Sequence, residues 1–213
     1  KRQVGAVQAV DGVSFEVSIP YHRLVTEFFL YTVILCQRND IPVPAEVMAR
    51  LEKMLEFIMY YTKPDGTAPL IGDGDNGRLV RLKVWDSLER EWIDHRYLLA
   101  VGGVLFERED FTQVAGNEWQ DVLWLCGSEA FSWFSMVNSR PRLSQSLGPR
   151  AFPEAGIFII RDDDLHLTVD VGWNGQSGNG GHAHNDVLSY ELFIHGRTWL
   201  MDPGTYTYTA DYE

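Results

Sequence analysis

The hydrophobic period of this 213-residue chain changes once, and that change limits what it can fold into. Up to about residue 138, apolar residues recur at three- and four-residue spacing, which lays a stripe along a helix. The stretch 138–153, NSRPRLSQSLGPRAFP, is polar, holds three prolines and has no period. Beyond it the spacing is two, the alternation of strands with one buried face. Helices followed by strands predict an α+β chain in two parts, helical over 1–138 and a sheet over 153–213, joined by a linker at 139–152.

Within the helical part, Pro20 suits a helix start, and Tyr21–Gln37 follows with Leu24, Phe28, Tyr31 and Leu35 as its stripe. Asn39-Asp40-Ile41-Pro42 breaks it, and a second helix, about Ala45–Tyr61, buries Val47, Leu51, Met54, Leu55, Ile58 and Met59. The short connection predicts an αα-hairpin. Ser87–Phe106 reads as a third helix. Asn117–Val137 reads as a fourth, with Trp119, Leu123, Trp124 and Phe131 inward. Strands are expected at 156–160, 165–171, 187–194 and 198–201. The long loop 63–81 is rich in turn dipeptides, and loops of that length in compact domains often carry function. Its Asp73, Asp75 and Asn76 resemble the start of an EF-hand, but the required Glu is replaced by Val84, which excludes that calcium site.

A net charge of −12 argues against nucleic acid or an acidic membrane surface held by bulk electrostatics. Cys36 and Cys126 lie in apolar helical segments and read as free buried thiols. No apolar run reaches transmembrane length. The chain starts without Met and without a signal-like segment, which predicts an internal piece of a longer protein.

The chemistry concentrates at 178–204, GNGGHAHNDVLSYELFIHGRTWLMDPG. In an extended strand His182 and His184 would share a face and address one volume. Imidazole is both a zinc ligand and an acid or base near neutral pH. Asp202, before Pro203-Gly204, adds a carboxylate at a strand end, although the glycine loop must fold back for it to meet His184. Solvated loop histidines and ordinary turn chemistry are the competing interpretation.

Four pieces, DGVSFEVSIPYH, PLIGDGDNGR, FPEAGIFIIRDDD and GHAHNDVLSYELFIHGRTWLMDPGTYTY, together resemble the heparinase II/III-like family. The resemblance implies the end of an incomplete α/α toroid followed by the first strands of an antiparallel β-sandwich. It implies a polysaccharide lyase acting on an anionic, uronate-containing glycan by β-elimination, in a periplasmic or secreted setting like the family's lyases. His182 is similar to the residue that works at the substrate carboxylate. His184 and Asp202 resemble ligands of a chiefly structural zinc, whose third ligand is expected beyond residue 213. The E-x-S-x-x-Y-H segment matches at Glu16, Ser18, Tyr21 and His22. This places Glu16, Tyr21 and His22 at the cleft, with burial of the Tyr21-His22 pair between domains as the alternative. Arg78, Asn76 and Arg81 are candidates for binding acidic sugar. Trp173 and Tyr206 are candidates for stacking on sugar rings, against core packing as the other option.

The family's characterised lyases carry a catalytic Tyr in the loop matching 70–78, and this chain has none there. A catalytically inactive carbohydrate-binding or polysaccharide-processing protein of the same fold is therefore the alternative. A cupin-type site fails on spacing, because Glu191 lies too far from His184 and Gly196 too near. A metallo-β-lactamase-like reading of HAHND fails because Val187 stands where a His is needed.

Overall fold

The computed structural model describes residues 11–74, 77–83, 87–141, 147–205 and 207. Helix α1 spans Ile19–Arg38, with Pro20 in its first turn and Ser18 as N-cap, its Oγ accepting from Tyr21 N at 3.3 Å. Helix α2 spans Ala45–Tyr61 and buries Leu51, Met54, Leu55, Phe57, Ile58 and Met59, as its spacing requires.

The buried face of α1 differs from the expected stripe. Phe28 and Leu35 are exposed, and Ile19, His22, Arg23, Thr26, Glu27, Leu30 and Tyr31 are buried. The polar members of that face are held by internal partners. Arg23 donates to the carbonyls of Gly77, Glu91 and Trp92, and Glu27 accepts from Leu79 N.

The expected third helix is two, α3 (Leu88–Ile93) and α4 (Arg96–Leu105). Between them Asp94 takes its own hydrogen bonds from the Arg96 backbone and guanidinium, which interrupts the helical ladder. The expected fourth helix is also two, α6 (Gln120–Cys126) and α7 (Ser128–Asn138), parted by Gly127 at φ 92°. Trp124 on α6 is exposed rather than inward, and Val122 and Asp121 fill the buried positions. A short helix not expected from the spacing, α5 (Glu109–Ala115), packs on α4 through Phe111 and Ala115. Cys36 and Cys126 are free and half-buried. Among the described residues no helix is long and apolar enough to cross a membrane.

Among the described residues five strands form an antiparallel meander in the order β1 (Arg150–Phe152), β2 (Ile157–Arg161), β3 (Leu165–Asp170), β4 (Tyr190–Ile194), β5 (Arg197–Leu200). The sheet starts at Arg150, inside the stretch read as linker. One face, with Phe152, Ile157, Ile159 and Phe193, turns inward, and the first three of these join one buried cluster with the helices. Phe57 and Phe152 meet edge to face at 4.7 Å within it. The other face carries Phe158, Ile160 and Tyr190 at the surface, the apolar alternation of a sandwich layer. Arg161 on β2 donates to the Met59, Tyr60 and Thr62 carbonyls, so the sheet caps the C-terminal end of α2.

Candidate active site

Three segments meet at the N-terminal end of α1: residues 14–21, the loop 70–74 and the glycine loop 172–189. Ser18 is the knot. Its hydroxyl caps α1 and also donates to the Asp73 carbonyl at 3.2 Å. Next to it Ile19 N donates to Ile71 O at 2.9 Å. From the glycine loop, Asp186 accepts Gly72 N at 2.6 Å and the His182 carbonyl accepts Asp73 N at 3.1 Å. Gly72 sits at φ 73°, and a Cβ there would lie 2.6 Å from Ser18 Cβ and 2.9 Å from His182 O, so only glycine fits.

The His182 ring stacks on Tyr21, with centroids 3.7 Å apart and planes tilted by 30°. Its Nε2 is 3.9 Å from Glu16 Oε1 and its Nδ1 is 3.8 Å from Asp73 Oδ2. Glu16 is steadied by Gln176, whose amide donates at 3.3 Å. Asp73 is steadied by Thr205, whose hydroxyl donates at 2.9 Å. The His182 side chain is 37 % exposed, so a solute can reach it. Val17, Gln176, Ser177 and His182 all adopt positive φ, half of the eight described non-glycine residues that do. Strained backbone gathered at one place is a mark of a functional site.

The HxH pair is not a strand. His182 has φ 54°, residues 181–188 form turns and bends, and the two imidazoles part company. His184 Nε2 lies 2.7 Å from Asp202 Oδ1 and 3.6 Å from Asp186 Oδ2, so the glycine loop does fold back onto the end of β5. These three side chains are 12 %, 9 % and 4 % exposed, and His184 Nδ1 is buried without a partner. Asp170, nearby on β3, has its carboxyl pushed up to about 6, mainly by burial, with the Asp186 charge adding to it.

One nitrogen and two carboxylate oxygens in a nearly dry volume are the donor types zinc takes. Two ligands of a tetrahedral zinc stand ~3.4 Å apart for bonds of ~2.1 Å, so the 2.7 Å contact is a hydrogen bond and not a spread pair of ligands. Among the described residues no group of three or more His, Cys, Asp or Glu is set to hold a metal. The donor chemistry fits part of a zinc site, one that needs a further ligand.

His22 does not join the Tyr21–His182 pair. It is fully buried, its Nδ1 accepts Ser14 N at 3.1 Å, and its Nε2 meets the Met54 carbonyl at 3.1 Å. Burial lowers it to about 4, and the contact with the Met54 carbonyl only partly opposes this. Arg78 is also removed from the substrate-binding set. Its side chain is 0 % exposed, 3.4 Å from Glu27, 3.5 Å from Asp121 and over the Tyr97 ring at 3.9 Å. Arg81 pairs with Glu91 at 2.8 Å. Trp173 is 77 % exposed beside the glycine loop, so core packing does not claim it. Asp75, Asn76 and Tyr206 lie outside the described residues. Sequence reasoning gave no site role to Asp73, Gln176, Asp186 or Thr205. The signal available for two of them was position, Asp73 between glycines and Asp186 two residues past His184.

The N-terminal end of α1, the loop 70–74 and the strained glycine loop thus bring together a Tyr–His pair flanked by two carboxylates. The heparinase II/III N-terminus model matches residues 1–94, and the heparinase II/III-like, C-terminal model matches residues 144–212. The chain belongs to the heparinase II/III-like family, a family of polysaccharide lyases and their relatives. It is 24 % identical to a heparin-sulfate lyase of Pedobacter heparinus over 99 % of its own length, and 22 % identical to one of Bacteroides stercoris over 100 %. It spans 27 % of the length of each of these relatives. In fold it is similar to the heparan sulfate lyase HepC from Pedobacter heparinus, with a TM-score of 0.67 at 19 % identity over 99 % of this chain and 28 % of that one. A structure of heparinase III gives 0.62 at 18 % identity over 97 % and 30 %. The helices and the antiparallel sheet correspond to part of that toroid-plus-sandwich architecture.

Proposed function

We propose that the Tyr21–His182 pair belongs to a polysaccharide lyase that cleaves uronate-containing glycans by β-elimination. The observation that carries this is the exposed His182 ring stacked on Tyr21 where the helical part meets the glycine loop. Elimination needs three things: relief of the charge on the uronate carboxylate, a base for the carbon-5 proton, and an acid for the departing oxygen. His182 meets the carboxylate through an Nε2–H. Tyr21, one ring away and in its phenolate form, takes the carbon-5 proton and becomes the phenol. The C–H electrons form the carbon 4–carbon 5 double bond, the carbon 4–oxygen bond breaks, and the oxygen leaves with a proton from the phenol. Glu16 holds the Nε2 side of His182 until substrate displaces it. Trp173, exposed beside the loop, offers a face for a sugar ring.

His184 and Asp202 are assigned as zinc ligands, with Asp186 alongside. A bound zinc would supply a fixed, charge-neutralising cross-link between the glycine loop and the end of β5.

One observation favours a second reading, a binding or processing protein of the same fold without elimination. Loop 70–78 has no Tyr and its Arg78 is turned into the interior against Glu27 and Asp121. Incubating the full-length protein with heparan sulfate, chondroitin, hyaluronan and alginate separates the two. Ultraviolet-absorbing unsaturated ends are expected with one of them. Binding without such ends would establish the second reading.

A further inference from the structure

A cavity of about 670 Å³ lies where the helical part meets β4 and β5, within the ~300–1,000 Å³ range of small-ligand sites. Its wall adjoins the surroundings of His182. Gly74 and Thr205 both line it, Gly74 following Asp73 in sequence and Thr205 donating to the Asp73 carboxylate at 2.9 Å. Asp73 in turn flanks His182 at 3.8 Å.

Trp92, at the C-terminal end of α3, belongs to the wall and is 47 % exposed. Its backbone is held. The Trp92 carbonyl accepts from Arg23 at 3.3 Å and from His95 Nε2 at 2.9 Å, and the Ile93 carbonyl accepts Ala68 N at 2.7 Å. A ligand meeting this indole therefore has little backbone to order. Ile93, Leu70 and Met201 extend the apolar wall. Lys63 brings a cation to it, with a side chain 8 % exposed that meets Glu191 at 3.1 Å. An ammonium carries three N–H donors, and among the described residues only the Glu191 carboxylate takes one. Asp65, exposed and bound to Thr67 through Oδ1, adds an acceptor.

An aromatic face beside a few donors and acceptors suits a pyranose, whose C–H face lies on the indole while its hydroxyls or carboxylate reach the charged groups. A wholly apolar ligand would cover the Lys63 donors without satisfying them, at a cost in binding. We infer that this cavity is a sugar-binding subsite, with Trp92 as its stacking platform and Lys63 as its donor, holding a ring of the glycan away from the bond that breaks. The inference rests on the reading that the Tyr21–His182 pair works on a glycan.

The test uses the full-length protein and hexasaccharides of heparan sulfate, chondroitin, hyaluronan and alginate. Affinity is read as Kd by calorimetry, or as KM where the hexasaccharide is opened. Trp92→Ala should weaken the best-bound hexasaccharide at least about tenfold with Tm unchanged, and Trp92→Phe should return it to within about threefold of wild type. Where ends are released, kcat should stay within about threefold, because the subsite is remote from the chemistry. Wild-type affinity in Trp92→Ala would overturn the proposal, as would a full-length protein that binds none of the four. If Trp92→Ala lowers Tm, Thr198→Phe replaces it. That change adds bulk from the exposed β5 wall and removes no contact of the core, and a loss of at least about fivefold is expected. Unchanged affinity there would mean that the cavity is filled by protein, and would reject the subsite. The two readings fail separately. Binding that depends on Trp92 without unsaturated ends keeps the subsite and removes elimination, whereas unsaturated ends with KM indifferent to both variants keeps elimination and removes the subsite.

Discussion

Tyr21 and His182 lie ring on ring, with 3.7 Å between centroids, although 160 residues of chain separate them. One comes from the first turn of α1, the other from a loop held off the sheet, and neither is buried. Replacing His182 with Ala should lower kcat by ~10²–10³-fold while Tm moves little, because the side chain is 37 % exposed. A large fall in Tm with proportionate loss of activity would mark His182 as structural.

Arg78 behaves as a structural cation in this account. Arg78→Ala leaves Glu27 and Asp121 buried with their shared partner gone, and should cost about 3–5 kcal/mol in denaturant unfolding. KM for any polysaccharide should not rise specifically. Native stability with a raised KM would return Arg78 to the substrate site.

Buried histidines tie stability to pH. His166 is lowered to about 4, first by burial, with Arg161 and Lys63 adding to this and the Tyr60 carbonyl opposing it. Between about pH 4 and 6.5 the unfolded chain binds a proton at this ring that the folded chain refuses, so stability falls as pH drops through that window. Asp121 and Asp170, both raised to about 6 by burial, act in the opposite sense below that pH, so the wild-type profile alone mixes the two. The difference between wild type and His166→Asn isolates the ring. It should shrink by up to about 1–2 kcal/mol on going from pH 7 to pH 5.

Zinc makes a separate prediction. Elemental analysis of the full-length protein should find about one zinc per chain. His184→Ala should lose it and melt at lower temperature, since metal binding free energy adds to folding. A metal-free wild type whose Tm is indifferent to chelator would remove His184 and Asp202 from that role.

The spacing of Leu51, Met54, Leu55 and Ile58 was enough to place α2, because that helix buries one apolar stripe. It failed on α1, where His22, Arg23, Thr26 and Glu27 are buried with internal partners, and a hydrophobicity count puts such residues outside. Breaks at Asp94 and Gly127 split helices whose apolar content ran on across them. α5 escaped notice because its sequence, EDFTQVA, has few apolar residues and buries only Phe111, Thr112 and Ala115. The motif matches name Tyr21 and His182, two residues whose rings meet in the structure, and the meeting of His184 with Asp202 requires only that the loop fold back. What spacing could not supply was the separation of the two imidazoles, which follows from a single positive φ at His182. Asp73 and Thr205 were hidden for the same reason: their partners are distant in sequence and set by loop packing.

The central claim is that the Tyr21 hydroxyl moves the protons of the elimination. Tyr21→Phe keeps the ring stacked on His182 and deletes only the hydroxyl. The decisive measurement is the rate at which unsaturated uronate ends appear, by ultraviolet absorbance, for full-length wild type and Tyr21→Phe on the polymer the wild type opens. The account predicts a loss of at least about 10²-fold in kcat with KM nearly unchanged. Equal rates for the two proteins would contradict it.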